Sequence, residues 1–221
     1  MNKLGDLSCK EFLTELASAA PAPGGGGGAA MAGALAAALA SMVANLTIGK
    51  EKFADREPEV KELLEQAEAE RVRLLTLVDE DAAVFNSFMS CYKLPKTTDE
   101  EKAARAAAIR AAAKQAATVP LNIARSSFAV LKLADRLVVS GNPGVITDGA
   151  CSGLLARAAL RCAEYNVRIN LGLTKDEAWN AQAAAELVQL LTDAEALETR
   201  LLAVTDKALQ KGFIARCGRS T

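Results

Sequence analysis

The chain has 221 residues, with 26 lysines and arginines against 27 aspartates and glutamates, and no histidine. A net charge of −1 gives no basic footprint for nucleic acid and no attraction to an anionic membrane. Without histidine a Ser-His-Asp triad, a Cys-His dyad and the usual zinc ligand sets are excluded together, so Asp, Glu, Lys, Tyr or Cys must move any protons.

The first segment, MNKLGDLSCKEF, lacks the apolar stretch of a signal peptide. Ser8 and Glu11 have the spacing of a capping box, which predicts a short helix to about Ala19, stopped by Pro21 and Pro23. Five consecutive glycines follow, Gly24 to Gly28. They read as a loop whose backbone comes close to a ligand or another helix, and whose amides can seat an oxyanion or carbonyl. From Ala29 to Ile48 there is no charge, and a buried helix is predicted from about Gly27 to Ile48, ending at Gly49-Lys50. The segment is long enough to span a membrane. Its alanines, with Ser41, Asn45 and Thr47 among them, favour the central helix of a soluble bundle instead.

Pro58 suits the first turn of a long helix to about Tyr92, with apolar positions at Val60, Leu63, Leu64, Ala67, Leu74, Leu75, Leu77 and Val78. Leu94-Pro95 ends it. Thr98 with Glu101 predicts a second capping box and a helix from Asp99 to about Thr118, which Pro120 breaks or kinks before a further helix to about Val139. Ser140-Gly141-Asn142-Pro143-Gly144 is a stop and turn, and an apolar helix follows from about Asp148 to Leu171. Thr174 with Glu177 predicts a third capping box and a last helix towards Lys211.

No strand alternation is present. The expected fold is all-α, a single-domain bundle over residues 1–221 of about six to seven helices with long central ones. The helices at Ala29–Ile48 and Asp148–Asn166 carry little charge and many small residues, which suits a bundle centre or a subunit interface and predicts a symmetric homodimer. The five cysteines, Cys9, Cys91, Cys151, Cys162 and Cys217, are odd in number and lack C-x-x-C, so they read as reduced cytosolic thiols packed as small hydrophobes.

Several residues are candidates for chemistry, each with a plain alternative. The glycine run follows Pro-Ala-Pro rather than a strand, so it fits no dinucleotide fingerprint, and Gly49-Lys50 lacks the rest of a phosphate-binding loop. Its alternative is a close-packed linker. Lys50 emerges at the edge of the core; most such lysines reach solvent, while one held out of water can serve as acid or base. Asp81, in VDEDAAVF, sits nearer the apolar positions Val84, Phe85 and Phe88 than Asp79 or Glu80, the alternative being a solvated acidic cluster. Asp148 opens an apolar helix, where a helix cap is the alternative. Arg125, Asn142 and Asn170 lie near helix ends or apolar faces, where any of them can be structural.

The segment PAPGGGGGAAMAGALAAALASMVANLTIGKEKF resembles the signature of the formiminotetrahydrofolate cyclodeaminase/methenyltetrahydrofolate cyclohydrolase family. DEDAAVF around Asp81, TVPLNIA around Pro120 and SGNPGVITDGA into NVRINL agree in order and spacing. KLPKTTDEEKAARAAAIR, Lys93 to Arg110, is similar to the stand-alone bacterial cyclohydrolase branch. There are departures. Many relatives have Gly-Gly-Gly-Ser where this chain has Gly27, and Ser-Asp-Ala-Gly where it has Thr147-Asp148-Gly149-Ala150. The glycine-only loop and the absence of a formiminotransferase domain favour the cyclohydrolase branch.

The resemblance implies a cytoplasmic enzyme of one-carbon metabolism that reversibly hydrolyses 5,10-methenyltetrahydrofolate to 10-formyltetrahydrofolate. The expected partner is the folate, with or without a polyglutamate tail. No cofactor beyond that substrate carrier is expected, and no metal, nucleic acid or membrane. Lys50, Asp81 and Asp148 are expected to be catalytic: Lys50 transfers protons, while a carboxylate orients water or stabilises the cation. Gly24, Gly25, Gly26 and Gly27 are expected to line the carbonyl-like oxygen or the pterin. Asn45, Asn142 and Asn170 are expected to hydrogen-bond the pterin, and Arg125 to meet the glutamyl carboxylate. The rival activity is cyclodeamination of 5-formiminotetrahydrofolate with release of ammonia. An alternative of another class is a non-catalytic folate-binding or assembly module.

Overall fold

The structure, a computed structural model, describes residues 3–217. Among these residues there are six α-helices and no strand. They are α1 (Cys9–Leu16), α2 (Gly25–Asn45), α3 (Glu57–Cys91), α4 (Asp99–Ser140), α5 (Ile146–Thr174) and α6 (Glu177–Cys217). α4 runs behind the others and packs on α2, α3, α5 and α6, while α2 lies between α3 and α5. Three contacts fix α2 and α5 antiparallel. Asn166 lies against Gly25, the Ser152 hydroxyl donates to the Ala36 carbonyl at 2.7 Å, and Asn142, just ahead of α5, donates to the Leu46 carbonyl at 3.1 Å.

Two capping boxes form as the spacing predicts. The Ser8 hydroxyl accepts from the Glu11 amide at 3.3 Å, and the Thr98 hydroxyl accepts from the Glu101 amide at 3.2 Å. The third is displaced. Thr174 closes α5, and the cap of α6 is Asp176, whose carboxylate accepts from the Trp179 amide at 3.1 Å. α1 is also shorter than expected, ending at Leu16. On α3, Pro58 stands in the first turn, and Val60, Leu63, Ala67, Leu74, Leu77 and Val78 are buried.

The glycine run is not a loop. Gly24 is the N-cap and Gly25 to Gly28 form the first turn of α2, with the Gly28 amide donating to the Gly24 carbonyl at 2.9 Å. Further along α2, close helix packing is the reason for a missing side chain. A Cβ on Gly33 would stand 3.0 Å from Leu74 Cδ2 and 3.1 Å from the Ser127 hydroxyl. Buried alanines continue the same face through Ala30, Ala37, Ala40 and Ala44. α2 is long and apolar enough to cross a membrane, yet 61% of its most apolar stretch is buried within the bundle.

Pro120 neither breaks nor ends its helix. α4 is continuous over 42 residues with Pro120 buried inside it. A proline there removes one N–H, leaving the Ala116 carbonyl without its helical donor. The Asn170 side-chain amide supplies a replacement from α5, donating to that carbonyl at 3.0 Å. Cys9, Cys91, Cys151 and Cys162 are free thiols as expected, but three of them are exposed rather than packed. The Cys217 side chain lies outside the described residues.

Candidate active site

At the glycine end of α2, helices α2 to α5 border a cavity of about 330 Å³. That volume falls within the range of small-molecule pockets. α2 and its approach supply Pro21, Gly24, Gly25 and Gly26; α3 supplies Asp81, Val84, Phe85 and Phe88. α4 contributes Ala116, Val119 and Pro120, and α5 contributes Asn166, Ile169, Asn170 and Leu173. The walls are largely apolar, with a few polar groups converging.

Asp81 is the titratable group among them, and the glycines let it in. A Cβ on Gly26 would stand 2.6 Å from the Asp81 Cγ, well inside van der Waals contact. Burial pushes the Asp81 carboxyl above its ordinary value, and a hydrogen bond from the Gly27 amide offsets part of that rise. A carboxyl displaced towards neutrality is suited to taking and returning a proton.

The asparagines present acceptors. Both Asn170 hydrogen bonds run from its amide nitrogen, to the carbonyls of Ala116 at 3.0 Å and Asn166 at 2.8 Å. Asn166 likewise donates from its amide nitrogen to the Cys162 carbonyl at 2.9 Å. Among the described residues neither side-chain oxygen has a hydrogen-bond partner, and the Gly25 and Gly26 amides also have none. The cavity therefore offers backbone donors at a helix N-terminus beside amide and carboxylate acceptors, with Phe85 and Phe88 of α3 on one wall. This arrangement suits a flat heterocycle bearing both donors and acceptors.

The structure brings Gly24, Gly25, Gly26, Asp81 and Asn170 to one cavity, with Gly27 beneath Asp81. The other sequence-derived candidates lie elsewhere. Lys50 follows α2 at its far end and is exposed. Asp148 is in the first turn of α5, at that same far end. Asn45 lies in an open groove with Glu68 and Arg71. Asn142 is buried and holds the turn before α5: its amide donates to the Thr47 hydroxyl at 2.8 Å, and its oxygen accepts from Gly144 at 3.0 Å. Arg125 makes a two-pronged ion pair with Glu186 at 2.5 and 2.6 Å, joining α4 to α6. Twenty-one helical residues separate the two ends of α2, about 30 Å at the usual rise per residue.

Sequence reasoning missed Asn166. Its signal was the pair Asn166 and Asn170, four apart on one face of a sparsely charged helix.

Fold and cavity together define a helical bundle, among the described residues, with a cavity of small-molecule size at one end. Residues 8–189 match the formiminotransferase-cyclodeaminase family, and the chain belongs to that family. It is 45% identical over 197 residues to a methenyltetrahydrofolate cyclohydrolase of Methylorubrum extorquens, covering 89% of this chain and 95% of that protein. It is 34% identical over 186 residues to the formimidoyltransferase-cyclodeaminase of Sus scrofa, covering 84% of this chain but about a third of that longer protein. Among solved structures, a formiminotetrahydrofolate cyclodeaminase from Thermotoga maritima superposes with a TM-score of 0.84 at 30% identity, covering 94% of this chain and all of that one.

Proposed function

We propose that this protein is a methenyltetrahydrofolate cyclohydrolase, working in the cytoplasm as a homodimer of one-domain chains. The observation that carries this reading is the 45% identity, nearly end to end, with a cyclohydrolase of similar length. The cavity supports it through its convergent donors and acceptors and its single carboxyl of raised proton affinity.

In this reaction water adds to the cationic carbon bridging N5 and N10, giving up one proton to a base. The carbon–N5 bond then breaks, N5 takes a proton, and the remaining hydroxyl proton leaves as the formyl group forms. In our reading Asp81 takes the first proton and returns it to N5. Its rise in proton affinity reduces the energy gap for both transfers. The Gly25 and Gly26 amides receive the developing formyl oxygen, and Asn166 and Asn170 accept from the pterin edge. Lys50 and Asp148, at the far end of α2, are given no step in this reading. A carboxylate beside that cation speeds the reaction only where its interaction grows in the transition state.

The test is to mix purified protein with 5,10-methenyltetrahydrofolate and follow the fall in near-ultraviolet absorbance against the spontaneous rate. Strong acceleration is the expected result. No acceleration, with ammonia released from 5-formiminotetrahydrofolate, would transfer the assignment to cyclodeamination, the activity named for the Thermotoga neighbour. Binding of either folate without turnover would leave only a folate-binding module.

A further inference from the structure

Gly26 and Gly27 are neighbours in the first turn of α2, yet they differ in why they lack side chains. At Gly26 no side chain fits: a Cβ would stand 2.6 Å from Asp81 Cγ and 2.7 Å from Asp81 Oδ2. At Gly27 one does fit. A Cβ there would meet Asp81 Oδ2 at 3.8 Å and Val78 Cγ1 at 4.0 Å, ordinary contact distances. It would meet Pro23 Cβ at 3.3 Å, where a small shift of the proline suffices. The backbone at Gly27 is helical, so conformation does not demand glycine either. Apart from proline, glycine is the least favourable residue in a helix. Packing and propensity therefore leave Gly27 unexplained.

The explanation lies in what a side chain at 27 would do to Asp81. Oδ2 is the carboxyl atom nearest that Cβ position, and a hydroxyl one bond further out comes within hydrogen-bonding reach of it. Burial raises the proton affinity of Asp81, and the Gly27 amide offsets part of the rise. A further donor would favour the charged carboxylate and weaken it as a base. No charged group competes for this control. Among the described residues, neither α2 and its approach nor α4 or α5 brings a charged side chain to the cavity. On α3 itself, Asp79 accepts from the Gly5 amide at 3.2 Å, and Glu80 lines a separate groove with Arg73 and Asn122.

We propose that Gly27 is a positioning residue for the reaction: its missing side chain leaves Asp81 Oδ2 without a side-chain donor, and so leaves the carboxyl free to take a proton from the attacking water. This rests on the cyclohydrolase reading for the role of Asp81. In that step the water oxygen bonds to the bridging carbon while its proton passes to the Asp81 carboxylate. The two glycines then have separate roles. Gly26 makes room for the carboxyl, and Gly27 keeps it a base.

Gly27→Ser against Gly27→Ala tests it, because the two variants add the same Cβ and differ by one hydroxyl. In Gly27→Ser the acid limb of the kcat/KM profile should move down by about one pH unit, the scale of one further donor on a carboxylate, with a lower plateau above it. In Gly27→Ala the limb should stay at its wild-type position. An unmoved limb in the serine variant, or an equal shift in both variants, overturns the proposal. Should circular dichroism show Gly27→Ser unfolded, Pro23→Gly relieves the 3.3 Å contact, and Pro23→Gly/Gly27→Ser is compared with Pro23→Gly alone. Carbon NMR of isotopically labelled carboxyls, with Asp81 assigned by its loss in Asp81→Asn, reads the same shift without substrate. Failure of the cyclohydrolase reading looks different: the wild type is inactive on methenyltetrahydrofolate, while the Asp81 carboxyl still titrates lower in Gly27→Ser than in Gly27→Ala.

Discussion

The two ends of α2 contain similar polar residues and treat them in opposite ways. At the C-terminal end, Asn142 donates through its backbone to Thr47 and through its side chain to Leu46, and accepts from Gly144. The Thr47 hydroxyl in turn donates to the Val43 carbonyl at 2.7 Å. Those polar groups satisfy one another and seal the turn between α4 and α5. At the N-terminal end the Gly25 and Gly26 amides and the side-chain oxygens of Asn166 and Asn170 have no partner among the described residues, beside a half-buried carboxyl. Leaving such groups without protein partners costs stability unless water or a ligand meets them. Polar groups at the first end are committed to the fold, while those at the second are left for water or a ligand to meet.

Replacement of Asp81 should break the comparison most visibly. Asp81→Asn is expected to lower kcat/KM by about a hundredfold or more, the scale of a general acid–base group. Stability should move the other way. Because burial raises the Asp81 carboxyl, its ionisation opposes folding as pH rises from the unfolded carboxylate value through the folded one. Thermal melts should therefore show Asp81→Asn at least as stable as the wild type at neutral pH. The difference should vanish on the acid side, where the carboxyl is protonated in both states.

Asn170 joins the two behaviours in one side chain, since its nitrogen repairs α4 and its oxygen faces the cavity. Asn170→Leu should cost about 1–3 kcal/mol by stranding the Ala116 carbonyl, and it should also raise KM. Adding Pro120→Ala restores the backbone donor, so denaturant melts should recover while KM stays high. Recovery of both would mean that Asn170 acts on structure alone.

At the sealed end, Asn142→Ala should also cost about 1–3 kcal/mol, from the groups it leaves unpaired. There kcat should stay near wild type in the folded fraction, because the hydrogen bonds of Asn142 are already committed. A large fall in kcat at unchanged stability would remove the contrast between the ends.

Arg125→Ala should have the smallest effect, below about 1 kcal/mol for a partly exposed pair. Arg125 holds the Glu186 carboxyl below its ordinary value. The contribution is therefore present above the usual glutamate range and is lost as pH falls through the lowered value. Urea melts of wild type and variant should converge in acid.

The sequence by itself determined the helices, because capping boxes, prolines and apolar periodicity act within a few residues of chain. Ser8, Thr98 and Pro58 stand where local chemistry requires. It also singled out the glycine run and Asp81 as candidates, since five glycines before an uncharged helix have few local uses. Tertiary structure decided the rest. Gly26 stands without a side chain because the Asp81 carboxyl occupies that space, a contact between residues more than fifty positions apart. Pro120 left α4 unbroken because Asn170 of another helix supplied the lost donor. Lys50 and Asp148 fell far from the cavity because α2 is 21 residues long and α5 packs antiparallel to it, an arrangement that no motif spacing conveys. Local rules fix elements through bonds between near neighbours, whereas a site is fixed by which distant faces pack together.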